Sequence, residues 1–325
     1  MFKTQYNKLT PMRIDKFLTE FLQNFSRKYI QDLILDGAVS KNSKIVNKPK
    51  EMVALGDIII INTLAIKEKD IESQELKLIK EDLFDSVKIV FEHPDFLIID
   101  KPAGLLVHRT NNLNSYSLVD FLIKKYPEIE GVVDSNQSQE ANLQHRYGIV
   151  HRIDKDTSGL LIVARNKDAL FKLKHLFKNR QVYKEYTCLV RGVIKDSHDH
   201  IKYPITRSRL DHTKRIAVVS PKQSKDQQRV AHTEYWVLER HKESTLLKVV
   251  IHTGRTHQIR VHTQAIGHPI IGDKVYGGKL ERQDQKVLNR QFLHASKLNF
   301  IYSNQEYEFY SDLPEDLQLY LKQVV

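Results

Sequence analysis

His151-Arg152-Ile153-Asp154-Lys155-Asp156-Thr157-Ser158-Gly159 runs straight into Leu160-Leu161-Ile162-Val163-Ala164. The second half is a short apolar run of the kind that forms a buried strand. The first half sets two basic residues, a carboxylate, a cluster of loop-forming polar residues and a glycine immediately before that strand. A rigid element then holds whatever reactive group the loop carries, and Asp154 is the group in question. The same residue types fit a plainer reading, a surface loop in which Asp154 and Asp156 accept from backbone N–H groups. Taken alone, the stretch favours the plainer reading.

Outward from it, short runs rich in apolar and β-branched residues recur at Val87–Phe91, Phe96–Ile99, Thr187–Val190 and Leu246–Ile251, with a helical pattern over Ala169–Phe177 between them. His93-Pro94-Asp95 supplies a turn between the first two runs. The pattern predicts a mixed α+β domain. Beyond Ile251 lies Thr253-Gly254-Arg255-Thr256-His257-Gln258-Ile259-Arg260-Val261-His262. A Thr-Gly turn feeding a helix puts backbone N–H groups and two arginines where a strand ends, which suits a phosphate or carboxylate. His252, His257 and His262 are spaced by five, whereas one helical face needs i, i+4, and no Glu lies between them. Hydrogen-bonding histidines are expected there, not a metal site. Gln181–Tyr186 brings two tyrosines into a strand, where core aromatics are the ordinary reading. Lys101–His108 reads as a tight turn after a strand.

Towards the start of the chain, Ile14, Phe17, Leu18, Phe21 and Leu22 fall at i, i+3, i+4, i+7 and i+8, an apolar stripe on one side of a helix. Ser26 is placed to cap a second helix carrying Ile30, Leu33 and Ile34, and Gly37 to end it in the left-handed conformation. Strand-like pieces follow at Val39, Ile45–Val46, Val53 and Ile58–Ile61. Residues 1–50 carry ten Lys or Arg against four Asp or Glu, a basic patch of net charge +6. Lys67 to Asp85 holds four lysines and seven acidic residues, with no apolar face until Leu83 and Phe84. The predicted division is a small α/β domain over 1–66, an acidic linker over 67–85 and a larger domain over 86–325. The polar run DSNQSQEANLQHR at 134–146 reads as a surface insertion.

The chain of 325 residues, 41% hydrophobic and 28% charged, has the composition of a soluble globular protein and suits two domains. No apolar run approaches the ~20 residues that cross a bilayer. Met1 to Thr10 holds no apolar segment of a secretory signal, so no membrane partner is expected and the cytoplasm is the expected address. The single Cys188 excludes an internal disulfide and a four-cysteine zinc module, and its neighbours predict a buried thiol. The excess of 51 Lys+Arg over 40 Asp+Glu, a formal charge of +11, points towards a polyanionic partner. No Gly-x-Gly occurs among the 12 glycines, so the dinucleotide-binding loop lacks its signature. Gly267 and Gly272 have phosphate-loop spacing, but Asp273 stands where Lys is required and would repel a phosphate. No nucleotide cofactor is expected.

Read in order, KPAGLLVH, IVHRIDKDTSGLLIVARN, KEY, TGRTHQIRVH, GHPIIGDKVYG and HAS resemble the RluA-type RNA pseudouridine synthases over the chain from about Val87 onward. RIDKFL, SRKYIQDLILDGAV and a following Gly-Asp resemble the alpha-L RNA-binding motif often fused to those enzymes. PITR, TKRIAVV and AHTEYWVLER are most similar to the RluD branch, which modifies large-subunit ribosomal RNA. The chain departs from the family where Arg109-Thr110 follow His108 in place of the common Pro, where Ile153 replaces Leu, and at the polar insertion.

The resemblance implies a mixed, mainly antiparallel sheet with flanking helices, preceded by a small α/β RNA-binding domain. It implies that uridine is detached from ribose at N1, rotated and reattached through C5, with no redox change, phosphoryl donor, cofactor or metal. Asp154 would start glycosidic cleavage, attack on ribose or on base being left open. An arginine beside it would favour the charged form, Arg260 first and Arg255 in reserve. Tyr186 matches the family's active-site tyrosine that packs on the target base, and Arg152 the arginine that fills the space a flipped nucleotide leaves. His151, Thr157, Arg255, His257 and Gln258 are the further residues expected to bind substrate. The basic stretch 202–230, with eight Lys or Arg against two Asp, and the N-terminal patch would hold phosphates. The expected partner is RNA, ribosomal RNA or a pre-ribosomal particle, taken by a monomer. The competing readings are a non-catalytic RNA-binding ribosome-assembly factor and a metal-dependent hydrolase that uses the histidines.

Overall fold

The apolar stripe near the start of the chain forms helix α1 (Ile14–Phe21), and the second pattern forms α2 (Arg27–Leu35). The computed structural model describes residues 2–22, 25, 27–62, 82–109, 117–133, 147–211, 213–220, 228–278 and 288–324. The cap expected at Ser26, the linker over 67–81 and the polar run 134–146 lie outside them. Strands β1 (Phe2–Gln5), β6 (Ile58–Ile61), β3 (Val39–Lys41) and β4 (Lys44–Ile45) make a four-stranded sheet in that order, and β2 (Met12–Arg13) pairs with β5 (Met52–Val53). Ile14, Leu18, Leu33 and Ile34 of the helices pack on Val39, Ile59 and Ile61 of the sheet. Gly37, at φ 73°, ends α2 in the left-handed region, as its position predicts.

Contacts divide the chain into two units, Met1–Asp82 and Leu83–Val325. Leu83 and Phe84, which the charge pattern assigns to the linker, fall in the second unit, where Phe84 meets the edge of Phe121 with ring centroids 5.8 Å apart.

The second unit is built on a nine-stranded sheet. Its strands are β7 (Lys88–Glu92), β8 (Phe96–Lys101), β9 (Ser158–Ala164), β10 (Val182–Arg191), β11 (His198–Ile201), β14 (Thr233–Arg240), β15 (Ser244–Ile251), β16 (Leu293–Tyr302) and β17 (Gln305–Tyr310). The order is β11-β14-β15-β10-β16-β9-β8-β7, with β17 also on β16. Every pairing is antiparallel except a short parallel contact of β9 with β16. A small hairpin, β12 (Ile205–Arg207) and β13 (Arg215–Ala217), stands outside the sheet. The helices are α3 (Leu118–Lys125), α4 (Lys167–Lys178), α5 (Gln258–Ala265) and α6 (Glu315–Val324).

Alternation explains how the sheet is covered. Leu97, Ile99, Leu161 and Val163 join Leu118 and Leu122 of α3 in one core. Phe96, Ile98, Leu160 and Ile162 join Ala169, Leu170 and Leu173 of α4 in another. A strand buried on both faces needs no polar positions, which is why Leu160–Ala164 is apolar throughout. Asn166 caps α4, its side chain accepting from Ala169 N–H at 2.8 Å. Cys188 is buried, and burial pushes its thiol up, so it stays protonated.

Candidate active site

The loop before β9 is fixed from both ends. At Gly159 (φ 114°) the backbone passes so close to β16 that a Cβ would stand 2.3 Å from the Ala295 carbonyl oxygen. Upstream, Thr157 N–H donates to the Asp154 carbonyl at 3.1 Å and turns the loop. Lys101, fully buried at the end of β8, donates through Nζ to the carbonyls of Pro102 (2.7 Å), Leu105 (2.9 Å) and Lys155 (2.9 Å). Those three bonds use every proton of an ammonium and tie the Lys101–Leu105 turn to the Asp154 loop. Burial pushes Lys101 down to about 7, with the charge of Asp156 pulling the other way.

Helix α5 supplies the facing wall. Arg260 is buried, and its Nη1 donates to Asp154 Oδ2 at 2.8 Å. The rest of the guanidinium forks onto Asp273, Nε to Oδ2 at 2.7 Å and Nη2 to Oδ1 at 2.9 Å. Asp273 is fully buried and its Oδ1 also accepts from the N–H groups of Val275 (2.9 Å) and Tyr276 (3.0 Å). Burial works against the charge of Arg260, but the hydrogen bond and charge of Asp273, joined by Asp154, outweigh it and raise the group above its ordinary value.

His257 begins α5 at φ 58°, with Nδ1 at 2.9 Å from the Tyr276 hydroxyl and Nε2 at 4.0 Å from Asp154 Oδ1. Burial lowers its pKa despite the opposing charge of Asp154, so the ring is neutral at pH 7. The Tyr276 hydroxyl in turn accepts from Arg215 N–H at 2.8 Å. Tyr186 follows an irregularity between β10 and β16 and is buried. Burial, then the charge of Asp154, pushes its phenol up and keeps it protonated. Arg152, Asp154, Thr157, Tyr186, His257 and Arg260 line one narrow cavity of about 90 Å³. Gly254, Arg255 and Thr256 border both this cavity and a wider groove of about 640 Å³ that carries Arg207, Arg209, Arg215 and Arg229.

The loop before β9, strand β10 and helix α5 therefore bring together Asp154, Tyr186, Arg260, Arg152, Thr157 and His257. Asp154 pairs with Arg260, while Arg255 sits at the rim with its Nε on the Val230 carbonyl at 3.0 Å. Two expected substrate-binding residues have other work. His151 accepts from Ile162 N–H at 2.9 Å through Nε2 and stacks on Phe177 at 4.5 Å. It braces β9 against α4, and burial lowers it to about 3. Gln258 donates to His232 O and Thr233 Oγ1, both at 3.0 Å, and accepts from Thr253 Oγ1 (2.8 Å) and Arg255 N–H (3.0 Å). Its amide is fully engaged inside the protein, so it holds the turn that presents Arg255.

The three histidines spaced by five go to three places. His252 meets Glu234 at 2.8 Å, His257 faces Asp154, and His262 bridges Thr233 Oγ1 and Tyr203 O, each at 2.8 Å. Three residues with structural or electrostatic roles in the site, Lys101, Asp273 and Tyr276, were assigned none from sequence. All three lie in the quoted runs KPAGLLVH and GHPIIGDKVYG, and Asp273 entered only as the residue that spoils a phosphate loop.

The RNA pseudouridylate synthase family matches residues 95–265, and the S4 domain matches residues 12–59. The chain is 38% identical over 282 residues to an uncharacterized RNA pseudouridine synthase of Aquifex aeolicus, covering 85% of this chain and 80% of that one. It is 33% identical over 316 residues to the ribosomal large subunit pseudouridine synthase D of Yersinia pestis, covering 94% and 88%. Among solved structures, human RNA pseudouridylate synthase domain containing 1 superposes with a TM-score of 0.57 at 26% identity, over 74% of this chain and 95% of that one.

Proposed function

From a chain that belongs to the RNA pseudouridylate synthase family, and so isomerises uridine to pseudouridine in RNA, we infer that the substrate is large-subunit ribosomal RNA and that the Asp154 carboxylate starts the reaction on a flipped-out nucleotide. The observation that carries the reading is the Arg260–Asp154 bond of 2.8 Å at the floor of a cavity that also contains Tyr186. Arg260 holds Oδ2 and orients the carboxylate, which leaves Oδ1 to approach the uridine. The neutral Tyr186 offers the ring face on which a base packs. A carboxylate rooted beside β9 cannot reach a base inside a folded RNA, so the nucleotide leaves its stack, and the exposed Arg152 at the cavity mouth fills the gap. The substrate class is supported by the relative named for the large ribosomal subunit, which aligns over nearly the whole chain.

The test compares wild type with Asp154→Asn on transcripts of large-subunit ribosomal RNA. Pseudouridine formation is expected to fall by about 10⁴-fold or more, the scale of losing a reacting side chain. RNA affinity is expected to stay near the wild-type value. A variant that still converts uridine at the wild-type rate removes Asp154 from the mechanism. Wild-type protein that binds the RNA and isomerises no base would instead favour an assembly factor. Mapping pseudouridines in ribosomal RNA from cells with and without the protein identifies the modified positions.

A further inference from the structure

On the outer part of the sheet, the register of β11, β14 and β15 collects four histidines and a glutamate. His200 lies opposite Glu234 and His198 opposite Trp236 across β11 and β14. His232 precedes Glu234 by two residues, so it shares that face, and His252 follows β15 with its N–H on the His232 carbonyl at 3.1 Å. The neighbouring side chain Thr233 points the other way, into the bonds with Gln258 and His262 of α5. The cluster therefore lies on the opposite face of the sheet from Thr233 and lines neither the Asp154 cavity nor the arginine groove.

We propose that His198, His200 and Glu234 form a binding site for a divalent transition metal ion of the zinc class. Two imidazoles and one carboxylate are a donor set that such ions prefer and that magnesium and calcium do not. Ligand atoms around a tetrahedral zinc stand about 3.3 Å apart, given Zn–N bonds of about 2.0 Å. Glu234 Oε1 stands 2.8 Å from His198 Nε2 and 3.6 Å from His200 Nε2, and the three donor atoms all lie within 4.8 Å of one another. Small side-chain rotations bring them to coordination distance, and a water completes the set.

The surroundings support the ligands as an outer shell does in metalloproteins. His200 Nδ1 is 3.0 Å from His232 Nε2, so a ring that ligates through Nε2 keeps its proton on Nδ1 and donates it there. His252 Nε2 holds the second carboxylate oxygen of Glu234 at 2.8 Å. His198 stacks on Trp236 with centroids 4.8 Å apart. A bound ion straps the edge strand β11 to β14, and β11 leads directly into the segment that carries the arginine groove.

Full-length protein without a polyhistidine tag, stripped with a chelator and titrated with zinc chloride by calorimetry, is expected to take up one equivalent with micromolar or tighter affinity and no magnesium. His200→Ala and Glu234→Gln are expected to abolish this binding, and His252→Ala to weaken it by about tenfold, the effect of removing an outer-shell partner. His198 and His200 side chains are 42% and 39% exposed, so the variants fold, which circular dichroism checks. Cobalt should give the visible absorption bands of a tetrahedral site in wild type and not in His200→Ala. Binding only at millimolar zinc, or one equivalent retained at wild-type affinity in the His198→Ala/His200→Ala double variant, would overturn the site.

Discussion

At the scale of single residues the site rests on one guanidinium between two carboxylates. Asp273 takes two of the three Arg260 bonds and so sets the plane in which Nη1 meets Asp154. A lysine could not do this, since a point charge has no fork. Asp273→Asn keeps the shape but removes the charge and one strong acceptor, so Arg260 is expected to turn away from Asp154. Misplacing a reacting group by about 1 Å costs on the order of 10² in rate, and that loss is expected in kcat under single-turnover conditions. RNA affinity, measured by filter binding, should not move, because Asp273 is fully buried and offers no surface to a phosphate. An unchanged kcat would show that the fork has no part in positioning. Asp154, Tyr186 and Arg260 were named together through their resemblance to family motifs, and the structure brings them to one cavity, whereas their residue types alone favoured a plain loop and core aromatics. The pairing itself joins residues 106 positions apart, and Asp273 reaches it from a third segment. No local pattern encodes a triad assembled by folding.

Elements show a similar split. The apolar run Leu160–Ala164 declared its strand, because burial on both faces leaves no polar positions. The short strands β1, β2, β12 and β13 left no comparable trace, since each is only two to four residues long and partly polar, and β1 and β2 find their partners far away in the chain. Gly159, read only as a loop residue, proves to be where β9 and β16 meet in parallel. With a Cβ contact of 2.3 Å to backbone and φ at 114°, Gly159→Ala has no conformation to adopt and is expected to destabilise the second unit by about 3 kcal/mol or more, read as a drop in the urea midpoint. In the N-terminal unit, buried Asp15 joins α1 to α2 by accepting from Arg13, Arg27 and Gln31. Burial opposes its charge, but these partners hold it at about 2. A folded value below the unfolded one means that the stabilisation is fully present above about pH 4 and is lost as pH falls through 2. Asp15→Asn should therefore lower the stability of this unit at pH 7 and flatten its acid dependence between pH 4 and 2, monitored by hydrogen exchange in α1 and α2. An acid profile identical to wild type would assign the titration to another group.

For the whole molecule, the formal charge of +11 announces a polyanion but not where it lies. Folding concentrates that charge, because β12, β13, residues 228–230 and the turn before α5 converge on one groove with Arg207, Arg209, Arg215, Arg229 and Arg255 and no carboxylate among its described lining residues. Burial, and to a smaller extent neighbouring arginines, lowers the pKa of both Arg215 and Arg255, so like charges held together add to the cost of their desolvation. An RNA backbone would relieve that repulsion, and the groove borders the Asp154 cavity through Arg255, so phosphates bound there would set the register of the nucleotide proposed to flip. Each phosphate contact displaces counterions, which makes affinity fall with salt at a slope of about 0.7 to 0.9 per contact. Arg207→Ala and Arg229→Ala are each expected to weaken RNA binding and to reduce that slope by about one contact, additively in the double variant. At saturating RNA their kcat should remain within about twofold of wild type, because neither side chain lines the cavity that holds Asp154. Salt titrations by fluorescence anisotropy, run beside single-turnover isomerisation, separate the two effects. A loss of kcat without a change of slope would place these arginines in the chemistry and not in the binding track.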